Sequence, residues 1–103
     1  MNVKKVILLD EAIGDLERGR TFYEERAEGI GTYFVTSLLA DVSSLRLYSG
    51  IHPIRFDYHR MLSKRFPFSI YYDIASETCR VVAILDMRQN PRIIRTTLQE
   101  RKS

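Results

Sequence analysis

The chain has a single cysteine, Cys79, so it can form no intramolecular disulfide and must fold around an apolar core alone. No apolar run approaches the roughly 20 residues of a membrane helix. Residues 1–20 lack a secretory signal, because Asp10 and Glu11 follow the short run Val6 to Leu9 at once. His52 and His59 have no Cys or carboxylate at ligand spacing, which excludes a recognisable metal site. Neither a P-loop nor a dinucleotide glycine pattern is present, so no cofactor is expected. Cys79, with Arg80 as its only charged neighbour in a predicted strand, reads as a buried inert thiol. No repeat, low-complexity tract or Ser/Gly linker divides the chain, and residues 1–103 read as one domain. The absences together suit a soluble protein of a reducing cytoplasm, with no membrane role.

What is present is 45% hydrophobic and 28% charged residues, an ordinary globular balance. The charge is uneven. Residues 1–51 hold six Lys/Arg against eight Asp/Glu, whereas residues 52–103 hold ten against five. The positive potential of the second half suits a polyanion or an acidic protein partner.

The pattern predicts helices first and strands second. Val3 to Leu9 reads as a strand, with Asp10 placed to cap the following helix. Ile13, Leu16, Tyr23 and Ala27 recur at helical spacing, leaving Glu17, Arg18, Glu24 and Glu25 to solvent. Gly29-Ile30-Gly31 breaks the helix and lets the chain reverse. A second helix carries Ile30, Phe34, Leu38, Asp41, Leu45 and Tyr48 on one face, Asp41 being out of character there. From Ile54 the period becomes two: Ile54, Phe56 and Tyr58 alternate with Arg55, Asp57 and His59. Lys64-Arg65 forms a turn, Phe66, Phe68, Ile70, Tyr72 and Ile74 share one face of the next strand, and Ser76-Glu77 turns again. Cys79 to Leu85 is apolar on both faces and should be central in the sheet. Residues 91–103 form a short helix or tail after Pro91. The expected fold is α+β, ordered β-α-α-β-β-β, with a helical hairpin packed on a small antiparallel sheet.

The residues with most chemistry are basic. Arg55, Arg60, Lys64, Arg65, Arg80, Arg88, Arg92 and Arg95 fall in the second half. Arg60 and Lys64, near one strand end, are expected beside Arg88 at the end of the last strand. Guanidinium groups offer paired donors that match phosphate or carboxylate oxygens. Tyr58, Tyr71 and Tyr72 offer faces on which bases can stack.

Three segments carry a resemblance. Phe22-Tyr23-Glu24 with Glu28 to Phe34, then Arg65-Phe66-Pro67-Phe68-Ser69-Ile70-Tyr71-Tyr72, then Val82 to Pro91 resemble, in order, the signatures of the RelE/ParE superfamily of bacterial toxins. The likeness is closer to the ParE, or plasmid stabilisation, branch. It implies the toxin half of a type II toxin–antitoxin pair, neutralised by an acidic cognate antitoxin and meeting operator DNA only through it. RelE-like members cut mRNA in the ribosome and ParE-like members inhibit DNA gyrase. For cleavage, Lys64, Arg65 and Arg88 are the candidate cations, with Tyr72 or His59 as proton-transfer group. Yet Asp86 stands where many ParE-like members have His, and residues 73–103 contain neither Tyr nor His. The expectation therefore leans to a non-enzymatic toxin aimed at gyrase, contacting its target through Arg60, Lys64, Arg65, Arg88, Arg92, Arg95 and the tail to Arg101. A ribosome-dependent endonuclease is the alternative, and a non-toxic binding partner or co-repressor is the third. Phe22, Tyr33 and Tyr48 on the outer face of the hairpin would allow a homodimer.

Overall fold

The computed structural model describes residues 3–102; Met1, Asn2 and Ser103, the ends of the expected domain and tail, lie outside them. The elements run β1 (Lys5–Leu8), α1 (Asp10–Glu24), α2 (Ile30–Ser43), α3 (Leu45–Tyr48), β2 (Ile54–Arg55), β3 (Tyr58–Leu62), β4 (Phe68–Ala75), β5 (Thr78–Asp86) and α4 (Pro91–Glu100). The strands form one sheet in the order β1-β5-β4-β3-β2. Every pairing is antiparallel except β1 with β5, which is parallel. The expected helical hairpin on an α+β sheet is thus present, but the sheet is not wholly antiparallel, since the first strand joins it in parallel, and the strand expected from Ile54 is split into the β2–β3 hairpin.

Two cores sandwich the sheet. The hairpin face buries Leu16, Phe34, Leu38, Val42, Phe68, Ile70 and Tyr72, among others. The opposite face buries Tyr58, Tyr71, Val82, Leu85, Ile94 and Leu98 beneath α4. Strand alternation divides β4 cleanly between the two. In β5 the parity changes: Cys79 and Val81 face the hairpin, and so does Ile84. A bulge makes this possible, since the register jumps from Tyr71 opposite Ala83 to Tyr72 opposite Val81. Val82 is the extra residue. It explains how a run apolar throughout can serve two cores.

Several expectations need correcting. Asp10 is not a cap; Leu9 holds that position without a side-chain bond, and Asp10 opens the helix, where it complements the dipole. Ile13 is 46% exposed, because Ala12, Asp15, Leu16 and Gly19 take the inner face of α1. Ala27 lies beyond the helix and is exposed. The second helix does not reach Tyr48 unbroken: it ends at Ser43, and Tyr48 points outward from α3. Ile54 to His59 is not one strand. Phe56 and Asp57 adopt positive φ (55° and 72°) and form the two-residue turn of the β2–β3 hairpin. Non-glycine residues hide such a turn from pattern reading.

Gly29, at φ 89°, supplies the left-handed backbone that reverses the chain between α1 and α2. Gly19 has a different role. A Cβ there would stand 2.5 Å from the Phe34 ring, so glycine lets α2 approach α1.

Asp15 of α1 is buried against β5. It accepts the Ile84 N–H at 2.9 Å and Arg101 at 2.5 and 2.8 Å, while Arg101 also donates to the Val82 carbonyl. The two side chains are 3% and 11% exposed. Removing one partner of a buried pair strands the other, so Asp15→Ala should cost about 3–5 kcal/mol in urea unfolding. A loss under about 1 kcal/mol would contradict this reading. Gly19→Ala should destabilise by about 1–3 kcal/mol through overpacking, against the ~1 kcal/mol gain that helix propensity alone would give.

Candidate functional site

Leu62 ends β3 opposite Ser69, and Phe68 opens β4 opposite Asp86. One end of the sheet therefore gathers the 63–67 loop and the 87–90 loop. Backbone bonds lock both: Ser63 N–H to Phe68 O, and Met87 N–H to Pro67 O, each at 2.9 Å. Asp41, the misfit on the apolar face of α2, explains itself here. Its buried carboxylate accepts the Ser63 hydroxyl at 2.8 Å and the Lys64 N–H at 3.3 Å, clamping the loop to the hairpin.

Aromatic rings form the floor. Phe66 lies 4.9 Å from Tyr23, 5.0 Å from Phe34 and 5.5 Å from Tyr33 between ring centroids. Arg65 donates to the Tyr33 hydroxyl at 3.2 Å, which raises its pKa further. Arg88 closes on Asp86 through Nε at 3.0 Å and Nη2 at 2.8 Å, and its own N–H also reaches Asp86. The Arg88 hydrogen bonds hold the Asp86 carboxyl below its ordinary value. Asp86 in turn is the main cause of the raised Arg88 pKa, with the Tyr23 hydroxyl a smaller contributor. Beside them a groove of about 320 Å³ runs between α1 and the end of β5, bordered by Arg18, Phe22, Phe68, Asp86 and Gln89.

The structure thus brings Lys64, Arg65 and Arg88 to one exposed end. It does not bring the other candidates there. Arg60 lies mid-strand opposite Tyr71, on the face that α4 covers, instead of beside Arg88. Arg92 and Arg95 sit on α4, with the Arg95 guanidinium 5.5 Å from the Phe56 ring centre. Arg101, expected in a free tail, is committed to Asp15. Arg80 pairs with Asp73 at 2.8 Å.

Tyr72 and His59 belong to a separate cluster, four residues or roughly 13 Å along β4 from Phe68. Tyr72 is fully buried, and its hydroxyl accepts the Gly50 N–H at 2.8 Å and meets His52 Nδ1 at 2.6 Å. His59 stacks on the Tyr72 ring, centroids 5.0 Å apart, and its Nδ1 bonds the His52 carbonyl at 2.7 Å. Burial pushes the Tyr72 pKa up, which opposes a role as proton donor to a surface-bound substrate. Burial likewise raises the Cys79 thiol to about 12, leaving it unreactive at pH 7. Among the described residues no three His, Cys, Asp or Glu side chains gather to hold a metal. Tyr23, Tyr33 and Phe66 were read from the sequence as packing or dimer-face residues and not as part of this site, and for Asp41 only the misplaced charge signalled a role.

The sequence matches no protein-family model and no curated protein. The structure does find a likeness, in a chain of a solved structure described as "Chromosomal ParDE TA system from P. aeruginosa". The two superpose with a TM-score of 0.68 at 16% identity, over 78% of this chain and 91% of that one. The chain has a RelE/ParE-like fold. At this identity the likeness establishes the architecture alone. No helix among those described is long and apolar enough to cross a membrane.

Burial, with a smaller contribution from His59, holds the His52 pKa below its ordinary value. The unfolded chain therefore takes up that proton first. Its contribution to stability is full above about pH 6.5 and declines as pH falls from there toward the lowered folded value. The thermal midpoint should drop between pH 7 and 5, and His52→Gln should flatten that drop. An unchanged slope in the variant would refute the assignment.

Proposed function

We propose that the protein is the toxin of a type II toxin–antitoxin pair, that it works by binding, and that DNA gyrase is its target. The RelE/ParE-like fold supports a place in such a pair, and the exposed cations of the sheet end suit an acidic antitoxin. The choice between binding and cleavage rests on one observation. Arg88, the cation best placed to meet a scissile phosphate, is held by Asp86 in a two-pronged pair. That pair lowers the positive potential a phosphate would feel, whereas a protein surface can still use its remaining donors. Tyr72 and His59, the proposed proton-transfer groups, stand apart from it.

Ribosome-dependent cleavage of mRNA is the second reading. It is favoured by the meeting of Lys64, Arg65 and Arg88 with the tyrosine hydroxyls of Tyr23 and Tyr33 at one end of the sheet. Primer extension on mRNA from a programmed translation reaction separates the two, since only the second reading produces new A-site cuts.

Induced expression should arrest bacterial growth, and Arg88→Ala should abolish the arrest. Antitoxin binding should stay within about 1–2 kcal/mol, the scale of a single interface truncation. Undiminished toxicity in a folded Arg88→Ala variant would remove the sheet end from the mechanism. A folded wild-type chain that leaves growth untouched would instead be a binding partner or co-repressor.

A further inference from the structure

The Tyr72 hydroxyl has one proton to give and one place to put it. Tyr72 is fully buried, and its oxygen meets the Gly50 N–H at 2.8 Å and His52 Nδ1 at 2.6 Å. An N–H only donates, so the hydroxyl proton goes to Nδ1, and His52 is neutral with its own proton on Nε2. A proton on Nδ1 would leave the buried hydroxyl proton without an acceptor. His59 is under no such constraint. Its Nδ1 faces the His52 carbonyl at 2.7 Å, and a carbonyl only accepts, so Nδ1 already carries a proton. His59 can therefore charge at Nε2 and keep its bond.

These bonds hold one segment. Residues 49–53 join α3 to β2 and are tied down by Gly50 to Tyr72, by the His52 carbonyl to His59, and by the Pro53 carbonyl to the Arg60 N–H. Little else secures them. Ile51 is 67% exposed, and the buried Ser49 Oγ has no hydrogen-bond partner. Segments held by so few contacts open by themselves, well below the free energy of global unfolding. His52 is half-buried, so solvent protons reach its ring.

The other ionisable groups around it are fixed near neutral pH. Asp41 from α2 and Lys64 from the 63–67 loop border the same groove as His52, and the Asp41 carboxylate is engaged by the Ser63 hydroxyl and the Lys64 N–H. Tyr48 of α3 and Cys79 of β5, which lies near Tyr72, stay protonated. Only the two imidazoles titrate here between about pH 7 and pH 5.

We propose that residues 49–53 form an acid-released latch: a proton taken up at His52 Nδ1 breaks the bond from the Tyr72 hydroxyl, and the segment opens while the sheet stays folded. Release takes Ile51 and His52 out of the wall of a groove of about 380 Å³ whose other side holds Met61, Leu62 and Lys64. The surface beside Lys64 thereby changes shape with pH. The latch is independent of the protein's target, because it rests on the hydroxyl and not on the sheet end.

Amide exchange on the full chain, followed by NMR between about pH 7 and pH 5 and corrected for intrinsic rates, tests the latch. The Ile84 N–H, bonded to Asp15 in the middle of the sheet, reports global opening. Gly50 protection should fall at least tenfold more than Ile84 protection over that range. His52→Gln, whose amide oxygen still accepts the hydroxyl proton, should keep Gly50 protected throughout. His59→Gln should retain the drop. Parallel losses at Gly50 and Ile84 in the wild-type chain would overturn the proposal, since His52 would then act through global stability alone. That comparison needs no variant to fold. An undiminished drop in a folded His52→Gln variant would also overturn it, as would a drop abolished by His59→Gln alone.

Discussion

The ion pair between Asp15 and Arg101 is the constraint on which the layers depend. β1 is only four residues long and covers β5 no further than Val81. Beyond it the edge of β5 would expose the bulge at Val82 to the interior of the molecule. Asp15 from α1 satisfies the Ile84 N–H, Arg101 from beyond α4 satisfies the Val82 carbonyl, and the two satisfy each other. Side chains thus replace a strand that is absent. Because α1 and α4 lie on opposite faces of the sheet, the same pair fixes both to the middle of β5. A buried pair repays its desolvation only when its remaining donors and acceptors are used, and here the backbone uses them.

The sheet end inherits its order from this arrangement. β5 leaves the bulge in a fixed phase, which sets where Asp86 and Arg88 emerge beside β4. Asp41 does for the 63–67 loop what Asp15 does for β5: one buried carboxylate from a helix accepts a backbone N–H, with the Ser63 hydroxyl added in the loop. Tyr23, Tyr33, Phe34 and Phe66 then fill the space between the clamp and the hairpin turn. Glu24 completes the turn by accepting the Gly29 and Gly31 N–H groups at 2.9 and 2.8 Å, which hold its pKa below the ordinary carboxylate value. Binding groups on such supports keep their positions without a partner present.

Much of this architecture was legible in the residues. The alternation of Phe68 to Ile74, the glycine break at Gly29 and the apolar run in β5 each reflect a local rule strong enough to survive folding, whereas Phe66, expected on the same strand, lies in the loop before it. The Asn90-Pro91 start of α4, capped through the Arg92 N–H, obeys another, though only a short helix or tail was expected there. The turn at Phe56-Asp57 was not legible, because its strained backbone is held by tertiary contacts and not by glycine. Lys102 bonds Asp57 at 2.6 Å, and Phe56 packs near Tyr71. The bulge was hidden because apolar residues on both sides carry no parity signal. Of the site, Lys64 and Arg88 were foreseen together because strand ends can be counted, and Arg65 joined them only through the resemblance. Arg60 was misplaced, because a one-dimensional cluster of charge does not say which face of a sheet each member takes; Arg92 and Arg95 lie on the terminal helix, within the segment expected as a short helix or tail.

The function proposed here turns on the sheet end acting as a binding surface. The most direct measurement is the supercoiling of relaxed plasmid by purified gyrase in the presence of increasing amounts of the folded protein. A dose-dependent loss of supercoiling, relieved when the acidic antitoxin is added, is the expected result. Full supercoiling at every concentration would contradict the account.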